Sequence, residues 1–292
     1  MLKLELNYLR NGTKIFMIQR FFKEKIIDLI DFLYLRSYNF YSFGKKFIRN
    51  SQYYKNLFLE IKDNTYKEVD YIEDKLGYKL QKIWLDKLAL VTQIVKKSSK
   101  INYSHGRIIY SILRNYFSKN INPNYTVLET GTARGFSSIC MSKAIIDHNV
   151  KGKIITVDVI GHDEKIYWNC FRDEMGKITR SELIKEWDNE LDNIIFLKGR
   201  TSVILKTLGL NRINFAFLDG QHDRLSVQEE FSYVSNRQKR GDVIFFDDVT
   251  PEKYKEVYKF VNEIKDSKKY SVELISISDE RGYAIATKNQ NT

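Results

Sequence analysis

From residue 125 onward the sequence alternates short apolar runs with stretches of helical spacing, and this constrains the fold more than any other feature. Strand candidates occupy residues 125–129, 153–159, 193–197, 213–219, 242–246, 270–276 and 282–287. Helical patterns occupy 136–147, 179–191, 201–208, 225–236 and 251–266. Strands that alternate with helices build a parallel sheet covered by helices on both faces. The last two strands are separated only by residues 277–281, which suits a hairpin and predicts an antiparallel closing strand. Thr250-Pro251-Glu252 has the order of a helix start: a capping hydroxyl, a proline at the first helical position and an acid in the first turn.

The residues upstream differ in charge. The chain carries 48 Lys+Arg and 37 Asp+Glu, a net +11. Residues 1–120 hold 23 basic and 11 acidic residues (23 − 11 = +12), so the basic excess lies entirely there. This part reads as helical. Between Ile15 and Arg36 the polar residues Gln19, Arg20, Lys23, Glu24, Asp28 and Asp31 form one stripe on a helix otherwise rich in Phe, Ile and Leu, with Lys25 the exception. Further helical stretches run over 70–97 and 106–116. The expected organisation is a basic helical region over 1–100 and an α/β domain over 101–292. Two cysteines cannot form a disulfide framework, no Cys-x-x-Cys pair offers a zinc site, and no apolar run is long enough to span a membrane. No secretory signal is evident, so the expected setting is a reducing cytoplasm.

Three groups of residues carry chemistry. Glu129-Thr130-Gly131-Thr132-Ala133-Arg134-Gly135 follows the first strand and opens a helix, where glycines let backbone amides approach a ligand. Ala133 and Phe136 stand where a dinucleotide fingerprint needs glycine, and no Gly-Lys-Ser/Thr follows, which disfavours nicotinamide cofactors and nucleoside triphosphates. Asp158 ends the second strand, placed to accept the hydroxyls of a ribose. Asp219 ends the fourth strand and Asp247-Asp248 the fifth, so all three gather at the ligand-binding edge of the sheet. Three neighbouring carboxylates repel one another and call for a positive partner; a hard divalent cation, most simply magnesium, fits. His222, three residues past Asp219, can take a proton from an acceptor hydroxyl near neutral pH.

Glu-x-Gly-x-x-x-Gly after strand one and an acid ending strand two resemble the class I S-adenosylmethionine-dependent methyltransferases, over roughly residues 100–292. The resemblance implies a seven-stranded Rossmann-like sheet. It implies cofactor contacts from Glu129, Gly131, Thr132, Gly135, Asp158, Asp219, and Thr201 and Ser202 after strand three. Arg200 replaces the acid usual in that last segment. The acid after strand four, the histidine three residues on and the acid pair after strand five are similar to metal-dependent bacterial sugar O-methyltransferases. That similarity implies a magnesium site at Asp219, Asp247 and Asp248, with His222 as base. The lysine base and asparagine ligand of catechol-type enzymes are missing at the matching positions.

The acceptor is then a small molecule or glycan. Nucleic acid is disfavoured: Asp219-Gly220-Gln221-His222 replaces the Pro-Pro run of amino-directed enzymes, and neither cysteine lies near strand four or five. A non-catalytic scaffold, binding the cofactor without turnover or docking on a membrane, is the other alternative. The basic region has three readings: a helical cap that also offers a homo-oligomer interface, a segment lying on anionic lipid at the inner face of a membrane, or an attractor of an anionic acceptor. The segment from Tyr167 to Arg180 is expected to form a lid or part of the acceptor pocket.

Overall fold

The computed structural model describes Ile26, Leu29, Gly44, residues 50–97 and residues 99–290. The amphipathic helix expected over 15–36 therefore lies outside the described residues apart from Ile26 and Leu29, which are helical and exposed. By contacts the chain divides into Met1–Phe43 and Gly44–Thr292, so the boundary expected at residue 100 falls inside the second unit. Among the described residues no helix is long and apolar enough to cross a membrane.

Among the described residues the helices with defined bounds ahead of the sheet are α1 (Ser51–Ile61), α2 (Lys67–Leu76), α3 (Lys82–Thr92) and α4 (His105–Lys119). The single helix expected over 70–97 is in fact two. Gly77 adopts the left-handed conformation (φ 78°) and its amide bonds the Glu73 carbonyl at 2.8 Å, closing α2. The sheet and its helices follow: β1 (Tyr125–Thr130), α5 (Phe136–Asp147), β2 (Gly152–Asp158), α6 (Arg180–Leu183), α7 (Asp188–Leu191), β3 (Ile194–Lys198), α8 (Thr201–Thr207), β4 (Phe215–Leu218), α9 (Arg224–Ser235), β5 (Val243–Phe246), α10 (Lys255–Asp266), β6 (Tyr270–Ser278) and β7 (Arg281–Lys288). The helix expected over 179–191 is broken into α6, a 3-10 turn and α7, although Thr179 and Glu182 form a full capping box at its start. The last helix begins at Lys255 rather than Pro251. Residues 251–254 form a turn, and Thr250 Oγ1 accepts the Tyr254 amide at 3.2 Å, so the capping hydroxyl closes the turn and not the helix.

The strand order is β3-β2-β1-β4-β5-β7-β6, parallel except for β7, which runs antiparallel to both its neighbours. Alternation sorts the strand residues. Leu128, Ile155, Ala216, Leu218, Ile244 and Phe246 face one way and pack against Leu205 of α8, Val227 and Val234 of α9, and Val257 and Val261 of α10. On the other face Phe217 stacks on Phe245 and Phe245 on Tyr283, with ring centroids 5.4 Å apart in each pair. His105 of α4 sits 4.7 Å from the Phe136 ring of α5 and 6.3 Å from Phe217. The order reverses between β1 and β4, the switch point at which open α/β sheets place their ligand crevice, outside the carboxyl ends of the strands.

Candidate active site

The turn after β1 is fixed by close approach. Gly131 has φ 87°, and a Cβ there would lie 1.9 Å from the Asp219 carbonyl oxygen. The turn can therefore cross the exit of β4 only without a side chain. Beneath it, the fully buried Glu129 accepts from the hydroxyls of Ser137, Ser138 and Thr156, the last at 2.6 Å. Thr132, also buried, shares a 2.5 Å hydrogen bond with Thr156. Glu129 and Thr132 thus brace the loop from below, while Gly131 and Gly135 (φ 88°) shape its rim. Asp158 sits beside the rim: its two oxygens accept the Ile160 and Ala133 amides, each at 2.7 Å. Each oxygen keeps a lone pair for a ribose hydroxyl. Burial raises the Asp158 carboxyl, against the nearby Arg180 and those amides. Thr201 and Ser202 open α8 after β3, Thr201 half-buried and Ser202 exposed.

The segment between β2 and α6 folds back over this loop. Arg134 donates to the Trp168 carbonyl, at 2.7 Å from Nε, and Arg180 Nε donates to the Ala133 carbonyl at 2.9 Å. Asn169, buried and left-handed (φ 55°), is the joint of three segments. Its Oδ1 accepts from Tyr54 of α1 at 3.1 Å, its Nδ2 donates to the Lys96 carbonyl at 2.8 Å, and its amide donates to Asp173 at 2.8 Å. Helix α1 and the α3–α4 link are therefore built into the wall beside the Gly131–Gly135 loop.

The acid cluster lies across the crevice. Ligand atoms of Asp219, His222 and Asp248 lie within 4.8 Å of one another. His222 Nε2 is 3.2 Å from Asp248 Oδ2, and its ring packs 4.9 Å from Tyr254. Two carboxylate oxygens and an imidazole nitrogen suit a divalent cation. Asp247 is engaged differently: Arg281 Nη1 lies 3.0 Å from each of its oxygens and 3.1 Å from Asp248 Oδ1. Burial raises the Asp219 carboxyl well above the usual carboxylate range, and Asp247 and Asp248 raise it further. Burial and Asp247 likewise raise Asp248. Asp247 goes the other way: although burial opposes it, Arg281 holds its carboxyl below the usual value.

Two cations of this site escaped the reading by motif. Arg281 opens β7, and the antiparallel pairing that sets Phe246 opposite Ala284 carries it back to Asp247. Lys97, on the α3–α4 link beside the Asn169 joint, is half-buried. Burial, with Arg281 and Arg134 nearby, lowers its ammonium to about 8. No sequence signal separates it from the other lysines of the basic region. Burial also pushes the His105 imidazole down to about 3, so it stays neutral in the core.

Glu230 of α9 supports the exit of β4. Its Oε2 accepts from Thr130 Oγ1 at 2.9 Å, and Oε1 lies 2.5 Å from where a Gly220 Cβ would stand. Burial raises its carboxyl to about 8. A folded-state value above the unfolded one (about 4.3) contributes stability below pH ~4 that is lost as pH rises through 8. Glu230→Gln is therefore expected to gain on wild type between pH 5 and 8, by on the order of a few kcal/mol at the upper end. Urea unfolding at both pH values checks this, and a pH-independent difference would refute it.

Residues 128–249 match a family described as a methyltransferase domain. The domain has the class I methyltransferase fold. The O-methyltransferase TomG from Streptomyces achromogenes superposes with a TM-score of 0.51 at 17% identity, over 72% of this chain and 92% of that one. The O-methyltransferase NovP gives 0.51 at 16% identity, over 72% and 99%. A search of curated proteins gives no match. The likeness to the two solved enzymes is one of fold. Within this fold the matched stretch starts in β1 and ends at Val249, and so takes in the Gly131–Gly135 loop and all three acids.

Proposed function

We propose that this chain is an S-adenosylmethionine-dependent O-methyltransferase that methylates a hydroxyl of a small molecule, a sugar of a glycoside or glycan being the favoured class, with help from a divalent cation. TomG, whose structure was solved with S-adenosylmethionine, and NovP are both O-methyltransferases, which supports the reaction type. The observation that carries the reading is the convergence of Asp219, His222 and Asp248 beside the Gly131–Gly135 loop.

In this reading Gly131 and Gly135 let the loop amides face the methionine end of the donor, and Asp158 holds its ribose. Asp219 and Asp248 would hold the cation, magnesium most simply, with His222 as third donor or as base. The cation, when bound, would lower the pKa of a neighbouring hydroxyl. Asp248 orients the His222 ring through the 3.2 Å contact, as a carboxylate orients a catalytic base. The wall built from Trp168, Asn169 and the α3–α4 link would exclude water and line the acceptor side. The remaining work is positioning of the acceptor oxygen in line with the sulfonium methyl. We also propose that the protein works in the cytoplasm, with its basic region as a cap and homo-oligomer interface or as a contact with anionic lipid.

The test is calorimetric titration of S-adenosylmethionine, followed by transfer of its labelled methyl group to a panel of sugars, glycosides and catechols, with magnesium or with chelator. Saturable donor binding and chelator-sensitive labelling of a hydroxyl are expected. No donor binding would end the reading; transfer that ignores chelator would remove the cation from it.

A further inference from the structure

Resting on that reading, we propose that Arg281 is a fixed internal cation that holds Asp247 out of the donor set, so that a divalent cation is taken by Asp219, Asp248 and His222 and competes with the guanidinium for Asp248. The acids and the arginine are nearly sealed: side-chain exposure is 5% for Asp247, 6% for Asp248 and 17% for Arg281. A guanidinium does not lose its proton, so this positive charge is permanent.

Backbone contacts fix it in place. The Val249 amide donates to the Gly282 carbonyl at 2.9 Å, and a Cβ on Gly282 would meet the Val249 carbonyl oxygen at 2.3 Å. The first residues of β7 are thus pressed against the segment just past the acid pair. Both oxygens of Asp247 are engaged: Arg281 lies on each, and Oδ1 also accepts the Asp248 amide at 2.7 Å. Asp219 contrasts with it, since no described residue donates a hydrogen bond to its carboxylate. Asp248 is shared, with Oδ1 towards Arg281 and Oδ2 towards His222. Asp219 is the carboxylate left without a donor and Asp248 is only partly paired, so a cation would sit between them.

Two positive charges a few ångströms apart in a buried site oppose each other. Removing the guanidinium takes away that repulsion and frees a third carboxylate. Arg281 is thus a brake on metal affinity, and Asp247 a bystander while Arg281 is present.

Titration of metal-free full-length protein with Mn2+ alone, followed by calorimetry or by the spin-resonance signal of free Mn2+, tests this. Arg281→Gln is expected to bind Mn2+ about 10-fold tighter than wild type or more. Asp247→Asn is expected to stay within about 3-fold of wild type, and Asp248→Asn to lose binding. Unchanged or weaker binding by Arg281→Gln, or loss of binding in Asp247→Asn, overturns the proposal while leaving a metal site in wild type. No Mn2+ binding by any of the four proteins overturns the metal reading and the proposal together. Should Arg281→Gln fail to fold, the contrast between Asp247→Asn and Asp248→Asn still decides.

Discussion

Gly131→Ala is expected to abolish S-adenosylmethionine binding and to lower stability by roughly 2–4 kcal/mol. Two costs coincide at this residue. Its φ of 87° is one that L side chains adopt with strain, and the new methyl would stand 1.9 Å from the Asp219 carbonyl oxygen and 2.8 Å from its carbon. That oxygen is backbone at the end of β4 and cannot swing aside as a side-chain tip would. The Gly131 amide bonds the Val157 carbonyl at 2.9 Å and the Asp219 amide bonds the Thr130 carbonyl at 3.1 Å, so β1, β2 and β4 are all tied at this crossing. Gly77 provides the control. Its φ is 78°, yet a Cβ there meets nothing within 4 Å. Gly77→Ala should therefore cost only the left-handed strain, about 1 kcal/mol, and leave donor binding unchanged. Denaturant unfolding and calorimetry of the two variants separate strain from collision. Equal stability losses with donor binding intact in both would mean that the turn can shift, and that the loop is not the rigid cradle described above.

The sequence makes this crossing visible because glycine at a strand-to-helix turn leaves a local mark. The same holds for the sheet. Each strand is a short apolar run with its own boundaries, and the 277–281 link is too short for anything but a hairpin, so strand identity and the antiparallel closure are readable residue by residue. The three acids are readable too, because each follows a strand whose end lies at the same edge. Arg281 is not. It belongs to the site through the pairing of β7 with β5, a contact between distant stretches that no local pattern announces. The sequence does call for a positive group among Asp219, Asp247 and Asp248, and a divalent cation is one answer; part of that charge comes from within the chain. Lys97 is hidden for a related reason, since its place depends on the Asn169 joint that fixes the neighbouring Lys96 carbonyl. The misplaced start of α10 shows the opposite failure. Thr250-Pro251-Glu252 carries a strong local signal, but the turn over 251–254 uses it first. Local signals fix which residues can start or stop an element, and tertiary contacts choose among them.

Asp219→Asn is expected to cost methyl transfer about 10²–10³-fold while making the metal-free protein more stable at pH 8. The carboxyl is raised by burial first and then by Asp247 and Asp248, with Arg281 opposing. A folded-state value above the unfolded one, about 3.9, means that the favourable contribution is complete below pH ~4 and is lost as pH rises through the folded value. Above pH ~4 wild type therefore loses stability progressively, because the unfolded chain ionises this carboxyl more readily than the fold does, and asparagine of the same shape escapes that loss. The stability gain of the variant should vanish near pH 4, where both side chains are neutral. Donor binding should stay within a few fold, because the contact with Gly131 is made by the backbone carbonyl, which the substitution leaves in place. Mn2+ binding should fall with the lost carboxylate. Urea unfolding at pH 4 and 8, with chelator present, and donor and Mn2+ titrations of the same variant read the three effects separately. A variant no more stable than wild type at pH 8 and equally active would mean that Asp219 carries neither the electrostatic strain nor the chemistry assigned to it. A variant more stable and inactive would show that the fold tolerates this repulsion because a cation relieves it when the site is at work.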